Sequence, residues 1–112
     1  MEKKPYNYKI AFFGSGEFSI FILNEMEKEG LSPFLIVSAE DKPKGRGLTL
    51  TKPITKIWAE ERKIECFQPE KLGDNDLEKL KNEKFDIFIV AAYGKIIPKK
   101  IYDLPKYKTL NI

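Results

Sequence analysis

The sequence predicts an α/β domain of Rossmann-like, three-layer αβα architecture with a mostly parallel sheet. Three observations support this: short apolar blocks alternate with stretches of helical periodicity, Gly or Pro residues bound many of the blocks, and 112 residues suit one domain. Continuous apolar blocks are typical of strands buried on both faces, and their alternation with helices implies right-handed crossovers between parallel strands. A ligand crevice is then expected at the carboxyl ends of the strands.

The first half of the chain predicts two strands, a helix and a loop, after a polar tail at residues 1–8. Apolar blocks at Ile10–Phe13 and at residues 34–37 have the length of buried strands. Between them, apolar residues recur at helical spacing, namely Phe18, Phe21, Ile22 and Met26. Gly30 follows where a helix C′ residue is expected. Residues 38–52 have no periodicity and contain Gly and Pro, so they predict an exposed loop.

Two helices and one helical turn are predicted in the second half. Pro53 fits the first turn of a helix whose apolar face consists of Ile54, Ile57 and Trp58. Asn75 and Glu78 have the spacing of a capping box, which predicts a helix with two inward side chains, Leu77 and Leu80. Pro98 begins the single helical turn.

Three further strands complete the predicted sheet, at residues 64–67, 87–92 and 109–112. The block at 87–92 is the strongest strand signal, because it is an unbroken apolar run. The last strand is the fifth of the sheet, and neither a helix nor a polar tail follows it. Because a parallel sheet needs both faces covered, we expect the fold to be truncated there, with a partly bare flank and frayed residues 109–112.

Composition excludes several classes of chemistry. Lys and Arg number 20 and Asp and Glu 17, so the net charge of +3 does not by itself indicate a nucleic-acid-binding protein. There is no histidine and one cysteine, Cys66, which excludes His-dependent triads, the commonest zinc sites and an intrachain disulfide. The longest apolar run, residues 87–93, is far shorter than the roughly 20 residues that span a bilayer. The sequence therefore predicts a cytoplasmic protein without a membrane segment or a bound metal.

The Gly-Ser-Gly turn at residues 14–16 follows a predicted strand and opens a predicted helix. One interpretation is a dinucleotide fingerprint, in which backbone N–H groups bind a pyrophosphate and Glu40 binds a ribose. Ser19 in place of glycine and the carboxylate of Glu17 close to the phosphates both weaken this interpretation. The alternative is a tight connection between strand and helix.

The loop at residues 40–47 is basic and rich in glycine. Its cationic residues are Lys42, Lys44 and Arg46, and Lys52 and Lys56 follow within reach. The flanking glycines allow the backbone at Arg46 to approach a partner closely, and a guanidinium suits phosphates or a base edge. The loop is thus a candidate phosphate-binding segment, with a solvated charged loop as the alternative.

Tyr93 and Gly94 end the strongest predicted strand, where this fold places its ligands. Free backbone groups at this point would bind a flat heterocycle. The alternative is that Tyr93 packs as an ordinary half-buried aromatic residue. We expect Cys66 to fill core space and Trp58 to pack its helix onto the sheet.

Several segments, in order along the chain, resemble the front portion of methionyl-tRNA formyltransferases, which belong to the formyltransferase family. The resemblance runs from about Lys9 to Ile112. It is carried by residues 10–14 (Ile-Ala-Phe-Phe-Gly), 41–47 (Asp-Lys-Pro-Lys-Gly-Arg-Gly), 53–56 (Pro-Ile-Thr-Lys), 66–70 (Cys-Phe-Gln-Pro-Glu), 91–98 (Ala-Ala-Tyr-Gly-Lys-Ile-Ile-Pro) and 109–112 (Thr-Leu-Asn-Ile). Several such segments in the right order are more specific than any one of them.

The resemblance implies transfer of a formyl group from 10-formyltetrahydrofolate to the amino group of initiator methionyl-tRNA, without a metal. In the family, the loop after the second strand inserts at the tRNA acceptor end and its Gly-Arg-Gly arginine is critical. That arginine corresponds to Arg46, with Lys42 and Lys44 in the same loop. The family's folate pocket is lined by a stretch that corresponds here to Ala92, Tyr93 and Gly94.

The catalytic set of the family is Asn, His and Asp, and Asn111 matches the asparagine of its Asn-x-His motif. The sequence stops at Ile112, before that histidine, so we expect a fragment that is inactive alone. The missing C-terminal part of the enzyme is then a candidate partner. The turn at residues 14–16 is Gly-Ser-Gly, whereas Gly-Thr-Pro is usual in the family. This difference does not involve the catalytic residues.

Related formyltransferases act on nucleotide-linked sugars or on glycinamide ribonucleotide, and they share the fold and the catalytic set. The Gly-Arg-Gly sequence at residues 45–47 favours the tRNA enzymes over these relatives. A non-catalytic Rossmann-like module that binds tRNA or a nucleotide is a further alternative.

Overall fold

The computed structural model describes residues 7–44, 47 and 49–112 of the chain. In this described part, strands and helices alternate as the apolar blocks predict, with one additional hairpin. The strands are β1 (Ile10–Phe13), β2 (Leu35–Val37), β3 (Lys42–Lys44), β4 (Thr49–Thr51), β5 (Glu65–Phe67), β6 (Ile87–Val90) and β7 (Thr109–Asn111). The helices are α1 (Glu17–Lys28), α2 (Ile54–Glu61), α3 (Asp74–Asn82) and α4 (Lys99–Tyr102).

Five of the strands form one sheet in the order β5-β2-β1-β6-β7, and all its pairings are parallel. β1 lies at the centre because its four residues are apolar and buried on both faces. In the register, Phe12 of β1 lies between Ile36 of β2 and Ile89 of β6. The prediction of a Rossmann-like α/β domain with a mostly parallel sheet is confirmed.

The two faces of the sheet are covered by different helices, which makes three layers. Successive residues of a strand point to opposite faces. Ile10 and Phe12 therefore pack on one face, with side chains of α1 and α2 that include Leu23, Met26 and Trp58. Ala11 and Phe13 pack on the other face, with side chains of α3 and α4 that include Leu80 and Ile101. Within the described ranges, no helix is both long and apolar enough to cross a bilayer.

α1 presents a different face to the sheet from the one predicted. Met26 is buried as expected, but Phe18 and Phe21 remain 46% and 58% exposed. The buried positions are instead Ser19 and Leu23. Ser19 is tolerated inside because its hydroxyl donates a hydrogen bond to a main-chain carbonyl, and a satisfied polar group loses little on burial.

α2 also turns a different face inward. Trp58 is buried as predicted, whereas Ile54 and Ile57 are partly exposed. Thr55 and Ala59 are buried with the indole, because positions i, i+3 and i+4 share one helix face. Both are small enough to let the helix approach the sheet closely.

Residues 38–52 were expected to form a loop without secondary structure, and this expectation is wrong. They contain β3 and β4, which pair antiparallel as a short hairpin with Pro43 opposite Leu50. The residues of β4 alternate as Thr-Leu-Thr, but all three are exposed and the strand contributes no side chain to the core. Backbone pairing defines the hairpin.

Helix boundaries are confirmed at three of four predicted positions, one of which is Pro53, the N-cap of α2. Gly30 follows α1 with φ of +79°, the left-handed conformation expected of a C′ residue, and Pro98 directly precedes α4. The capping box at Asn75 and Glu78 is wrong, because the N-cap of α3 lies two residues before Asn75. Gly73 is the N-cap, and its N–H donates to the Asp76 carboxylate at 2.9 Å.

Candidate active site

The parallel strands place the candidate residues at one edge of the sheet, which we call the carboxyl edge. It is formed by the segments that directly follow β1, β2, β5 and β6 and by the end of β7. The strand order changes direction at β1, because β2 and β5 lie on one side of it and β6 and β7 on the other. This is the position at which ligands bind in open α/β sheets.

The turn at residues 14–16 is held by hydrogen bonds to neighbouring segments of the protein. Its three N–H groups all donate to protein acceptors, Gly14 N to Val37 O at 3.0 Å, Ser15 N to Ala92 O at 3.0 Å and Gly16 N to Ser19 Oγ at 3.2 Å. A Cβ at Gly14 would lie 2.5 Å from the Ala91 carbonyl oxygen, so only glycine fits here. The turn is thus a tight connection, and its amides are not free for a pyrophosphate.

Small hydroxyl side chains tie this turn to the neighbouring elements. The Ser15 hydroxyl accepts a hydrogen bond from the Ala39 N–H at 2.8 Å. The Ser38 and Thr55 hydroxyls lie 2.9 Å apart in a buried hydrogen bond that joins the end of β2 to the start of α2. This cluster was not predicted, although Ser15 and Ser38 follow within two residues of the apolar blocks that form β1 and β2.

The base of the hairpin borders a groove of about 270 Å³. Its lining residues come from the turn after β1, the segment after β2 and the two hairpin strands: Ser15, Ala39, Glu40, Lys42, Pro43, Thr51, Lys52 and Pro53. Of the predicted tRNA-binding residues, Lys42 lies in this groove with an exposed side chain, and Lys44 ends β3. Arg46 lies outside the described residues.

The other two lysines of the basic region are engaged in ion pairs. Lys52 Nζ lies 3.0 Å from Glu60 Oε1, and Lys56 Nζ lies 3.1 Å from Asp41 Oδ1. The Gln68 amide also donates to Asp41, and together these contacts hold the pKa of the Asp41 carboxyl below its ordinary value. Glu60 and Asp41 thus neutralise the charges of Lys52 and Lys56. Lys42 remains exposed.

The segment after β6 turns sharply through left-handed backbone. Ala92 has φ of +55° and Gly94 has φ of +77°, and both are exposed. We call residues 92–94 the 92–94 turn. Of this turn, Gly94 borders a pocket of about 520 Å³, whose other lining residues are Glu70, Lys71, Leu72, Lys95, Ile96 and Pro98.

Tyr93, in the middle of this turn, packs as a core residue. Its ring is 4% exposed and meets Phe13 edge-on, with 5.6 Å between ring centroids. The hydroxyl is buried without a hydrogen-bond partner among the described residues, and burial raises the pKa of Tyr93 to about 12. Of the two alternatives for Tyr93, packing as an aromatic residue is the one observed, with nearly full rather than half burial, so the Tyr93 ring is not offered to solvent.

Glu40, the residue considered for a ribose, is paired within the protein. Its Oε1 lies 2.7 Å from the Lys95 ammonium, which also donates to the Glu70 carbonyl at 2.5 Å. Lys95 therefore contacts the segments after β2 and β5 from its own position after β6. This contact was not predicted, because the spacing of residues in the sequence does not show which loops meet.

Asn111, the predicted catalytic residue, ends the edge strand β7. It lies opposite Val90 of β6, and the next residue, Ile112, donates its N–H to the Val90 carbonyl at 2.8 Å. The Asn111 side chain is exposed and forms no hydrogen bond with any residue in the described part of the chain. Its amide is therefore available to a ligand at the carboxyl edge, one strand away from the 92–94 turn.

The sheet order and the segments at its carboxyl edge place the protein in the Rossmann-like α/β class. Residues 8–112 match the family described as Formyl transferase, and the chain belongs to that family. The chain is 41% identical over 93% of its length to a methionyl-tRNA formyltransferase of Endomicrobium trichonymphae and 42% identical over 93% to one of Thermotoga neapolitana. A third relative, the methionyl-tRNA formyltransferase of Neisseria meningitidis, is 40% identical over 93% of the chain. The chain spans about a third of the length of these curated relatives.

Proposed function

We propose that this chain supplies the substrate-binding part of a methionyl-tRNA formyltransferase, which transfers the formyl group of 10-formyltetrahydrofolate to the amino group of initiator methionyl-tRNA. The observation that carries the proposal is the position of Asn111. Asn111 ends β7, the strand next to β6, and its side-chain amide has no hydrogen bond to any described residue. The 92–94 turn follows β6. The names of the relatives support a tRNA acceptor rather than a nucleotide-linked sugar.

The proposed role of Asn111 is to stabilise developing negative charge. The amine attacks the formyl carbon, a new C–N bond forms and the formyl oxygen becomes a tetrahedral oxyanion. The Asn111 amide N–H donates to that oxygen, a contact whose loss typically costs about 10²–10³ in rate. The bond from carbon to the folate nitrogen then breaks, the attacking amine loses a proton and the folate nitrogen gains one.

The proposed donor site is the 92–94 turn with the adjoining pocket. Ala92 and Gly94 are exposed residues in left-handed conformations. Because the Ala92 carbonyl oxygen already accepts the Ser15 N–H, the contacts proposed for the edge of a flat heterocycle come from the other main-chain groups of the turn. Tyr93 anchors the turn to the core, because its buried ring packs against Phe13. The pocket of about 520 Å³ next to Gly94 has the size of a small-molecule site.

The proposed acceptor site is the hairpin. Lys42, Lys44 and Arg46 follow one another at every second position, and Lys42 lies exposed at the hairpin base. Clustered cationic side chains bind phosphates, and such binding weakens as salt rises. The hairpin strands border the groove that reaches Ser15 at the centre of the carboxyl edge.

We further propose that the chain binds its substrates but does not catalyse transfer at enzymatic speed by itself. The sequence contains no histidine, and the family uses an imidazole for the proton transfers. General acid–base catalysis of this kind is worth roughly 10²–10⁴ in rate. A formyl-transfer assay with the purified chain tests this, and transfer at normal enzymatic speed would refute it.

A mobility-shift titration with initiator methionyl-tRNA tests the acceptor site. Arg46→Ala is expected to weaken binding about tenfold and to reduce the dependence of affinity on salt, because one phosphate contact is lost. Lys81→Ala, on the exposed end of α3, is the matched control and should bind like the parent. Equal, salt-insensitive binding by the parent and Arg46→Ala would contradict the acceptor site.

Calorimetry tests the donor site, with the stable compound 5-formyltetrahydrofolate as the ligand. The parent is expected to bind this folate and not to bind NAD, because the turn at residues 14–16 has no free amides. Binding of NAD but not of the folate would favour a dinucleotide module instead.

A further inference from the structure

Lys95 is the one side chain among the described residues whose ammonium contacts the segments after both β2 and β5. It follows β6, and its Nζ lies 2.7 Å from Glu40 Oε1 and 2.5 Å from the Glu70 carbonyl oxygen. Glu40 belongs to the segment after β2 and Glu70 to the segment after β5. One flexible side chain thus joins three loops of the carboxyl edge.

The pair with Glu40 is better shielded than the Lys52–Glu60 pair at the hairpin, although less than the Lys56–Asp41 pair, whose side chains are 21% and 25% exposed. The side chains of Lys95 and Glu40 are 22% and 36% exposed, whereas those of Lys52 and Glu60 are 47% exposed each. Glu40 Oε1 is itself screened from solvent and has no well-aligned hydrogen bond, so the Lys95 ammonium is its compensating partner. Removing the ammonium leaves a shielded carboxylate without a partner, which favours rearrangement of the loop.

The two ends of this contact belong to the two proposed substrate sites. Lys95 directly follows Gly94, the left-handed residue that completes the 92–94 turn. Glu40 lies two residues before Lys42, where β3 and therefore the hairpin begin. A change in the Glu40–Lys95 contact is therefore transmitted over one or two residues to either site.

We propose that Lys95 is a positioning residue, which fixes the 92–94 turn and the base of the hairpin relative to each other through Glu40 and the Glu70 carbonyl. This inference rests on the proposed function, because it assigns the two connected segments to the formyl donor and to the tRNA. Lys95 itself is not required to touch either substrate.

Amide hydrogen exchange on the full chain without ligands tests the connection. Lys95→Met keeps the length of the side chain and removes its charge, and is expected to accelerate exchange at residues 92–95 and also at residues 39–42 in the other loop. Lys52→Met is the matched control, because it breaks the more exposed pair with Glu60. Faster exchange confined to the loop of Lys95 would overturn the inference.

A double-mutant cycle on substrate binding tests the functional consequence. Lys95→Met and Glu40→Gln are each expected to weaken binding of both methionyl-tRNA and 5-formyltetrahydrofolate by about 3- to 10-fold, and the double variant should be no weaker than either single one. Lys95→Arg should restore most of the affinity, because a cation is again within reach of Glu40. A merely stabilising role would lower the melting temperature without this non-additive loss of binding.

The two experiments separate failure of the inference from failure of the proposed function. If the parent binds both substrates but the two substitutions are additive, Lys95 does not connect the sites and the function stands. If the parent binds neither substrate, the proposed function fails, and the assignment of the two segments fails with it. Hydrogen exchange then still decides whether the three loops are mechanically joined.

Discussion

The Ser19 hydroxyl donates a hydrogen bond to the Ala91 carbonyl at 2.5 Å and so joins the start of α1 to the end of β6. The same Ser19 oxygen accepts the Gly16 N–H at 3.2 Å. One buried hydroxyl therefore satisfies a donor and an acceptor at the centre of the carboxyl edge. This contact fixes the position of the turn at residues 14–16 against the segment that leads into the 92–94 turn.

We predict that Ser19→Ala lowers the free energy of unfolding by about 1–3 kcal/mol, because a buried carbonyl and a partly buried N–H lose their partner. Urea denaturation followed by the fluorescence of Trp58, the single tryptophan, measures the change. Ser32→Ala is the control, since Ser32 is exposed and should change stability by less than about 0.5 kcal/mol. Equal stability of Ser19→Ala and the parent would show that the hydroxyl contributes nothing.

Gly14 is constrained by the same contact. A Cβ at this position would lie 2.4 Å from Ser19 Oγ and 2.5 Å from the Ala91 carbonyl oxygen, so backbone must move to admit it. We predict that Gly14→Ala lowers the free energy of unfolding by about 1–3 kcal/mol or more. Gly73→Ala, where nothing lies within 4 Å of the added carbon, is the comparison in the same urea titration. Similar losses for both variants would refute the steric explanation.

The central strands of the fold were predictable because their residues are buried on both faces. β1 and β6 are unbroken apolar blocks, and such a block has few alternatives to a central strand of a parallel sheet. The helix faces were less predictable. Ser19 and Thr55 are buried because their hydroxyls form hydrogen bonds inside the protein. A hydropathy pattern gives no information about such partners.

The parts of the candidate site that lie at the ends of parallel strands were predictable. Asn111 and the 92–94 turn lie at strand ends as predicted, since the residue after a parallel strand always lies at the carboxyl edge. That β6 and β7 are neighbours in the sheet was not predicted. The hairpin and the Glu40–Lys95 contact were missed. Both depend on how exposed segments meet in space, which neither apolar periodicity nor motif spacing encodes.

Asn111 provides a prediction that separates catalysis from binding. Because its amide is proposed to bind the oxyanion and not the ground-state folate, Asn111→Ala should leave the affinity for 5-formyltetrahydrofolate within about twofold of the parent. Gly94→Ala should weaken the same binding, because the left-handed φ of +77° is strained for any residue with a Cβ. Calorimetry compares the three proteins. A tenfold loss of affinity in Asn111→Ala would assign that residue to ground-state binding instead.

Cys66 provides a prediction of pH dependence. Burial raises the pKa of its thiol from the ordinary 9.0 to about 11, because the charged thiolate is poorly solvated beside the core. Folding therefore favours the neutral thiol. Its contribution to stability is complete below pH 9 and is lost as the pH rises from 9 to 11, where only the unfolded chain ionises readily. At pH 8 the folded chain should hold about 100-fold less thiolate than the unfolded chain.

Alkylation with iodoacetamide measures this directly, since the thiolate is the reacting form. At pH 8 the native chain should react roughly 100-fold more slowly than the chain in 6 M urea, and the native rate should rise steeply between pH 9 and 11. Cys66→Ala is the matched variant for stability, because it keeps Tyr93 and every other group that titrates in this range. Its stability should fall less than that of the parent between pH 9 and 11. Equal alkylation rates in native buffer and in urea would show that the thiol is not shielded by the fold.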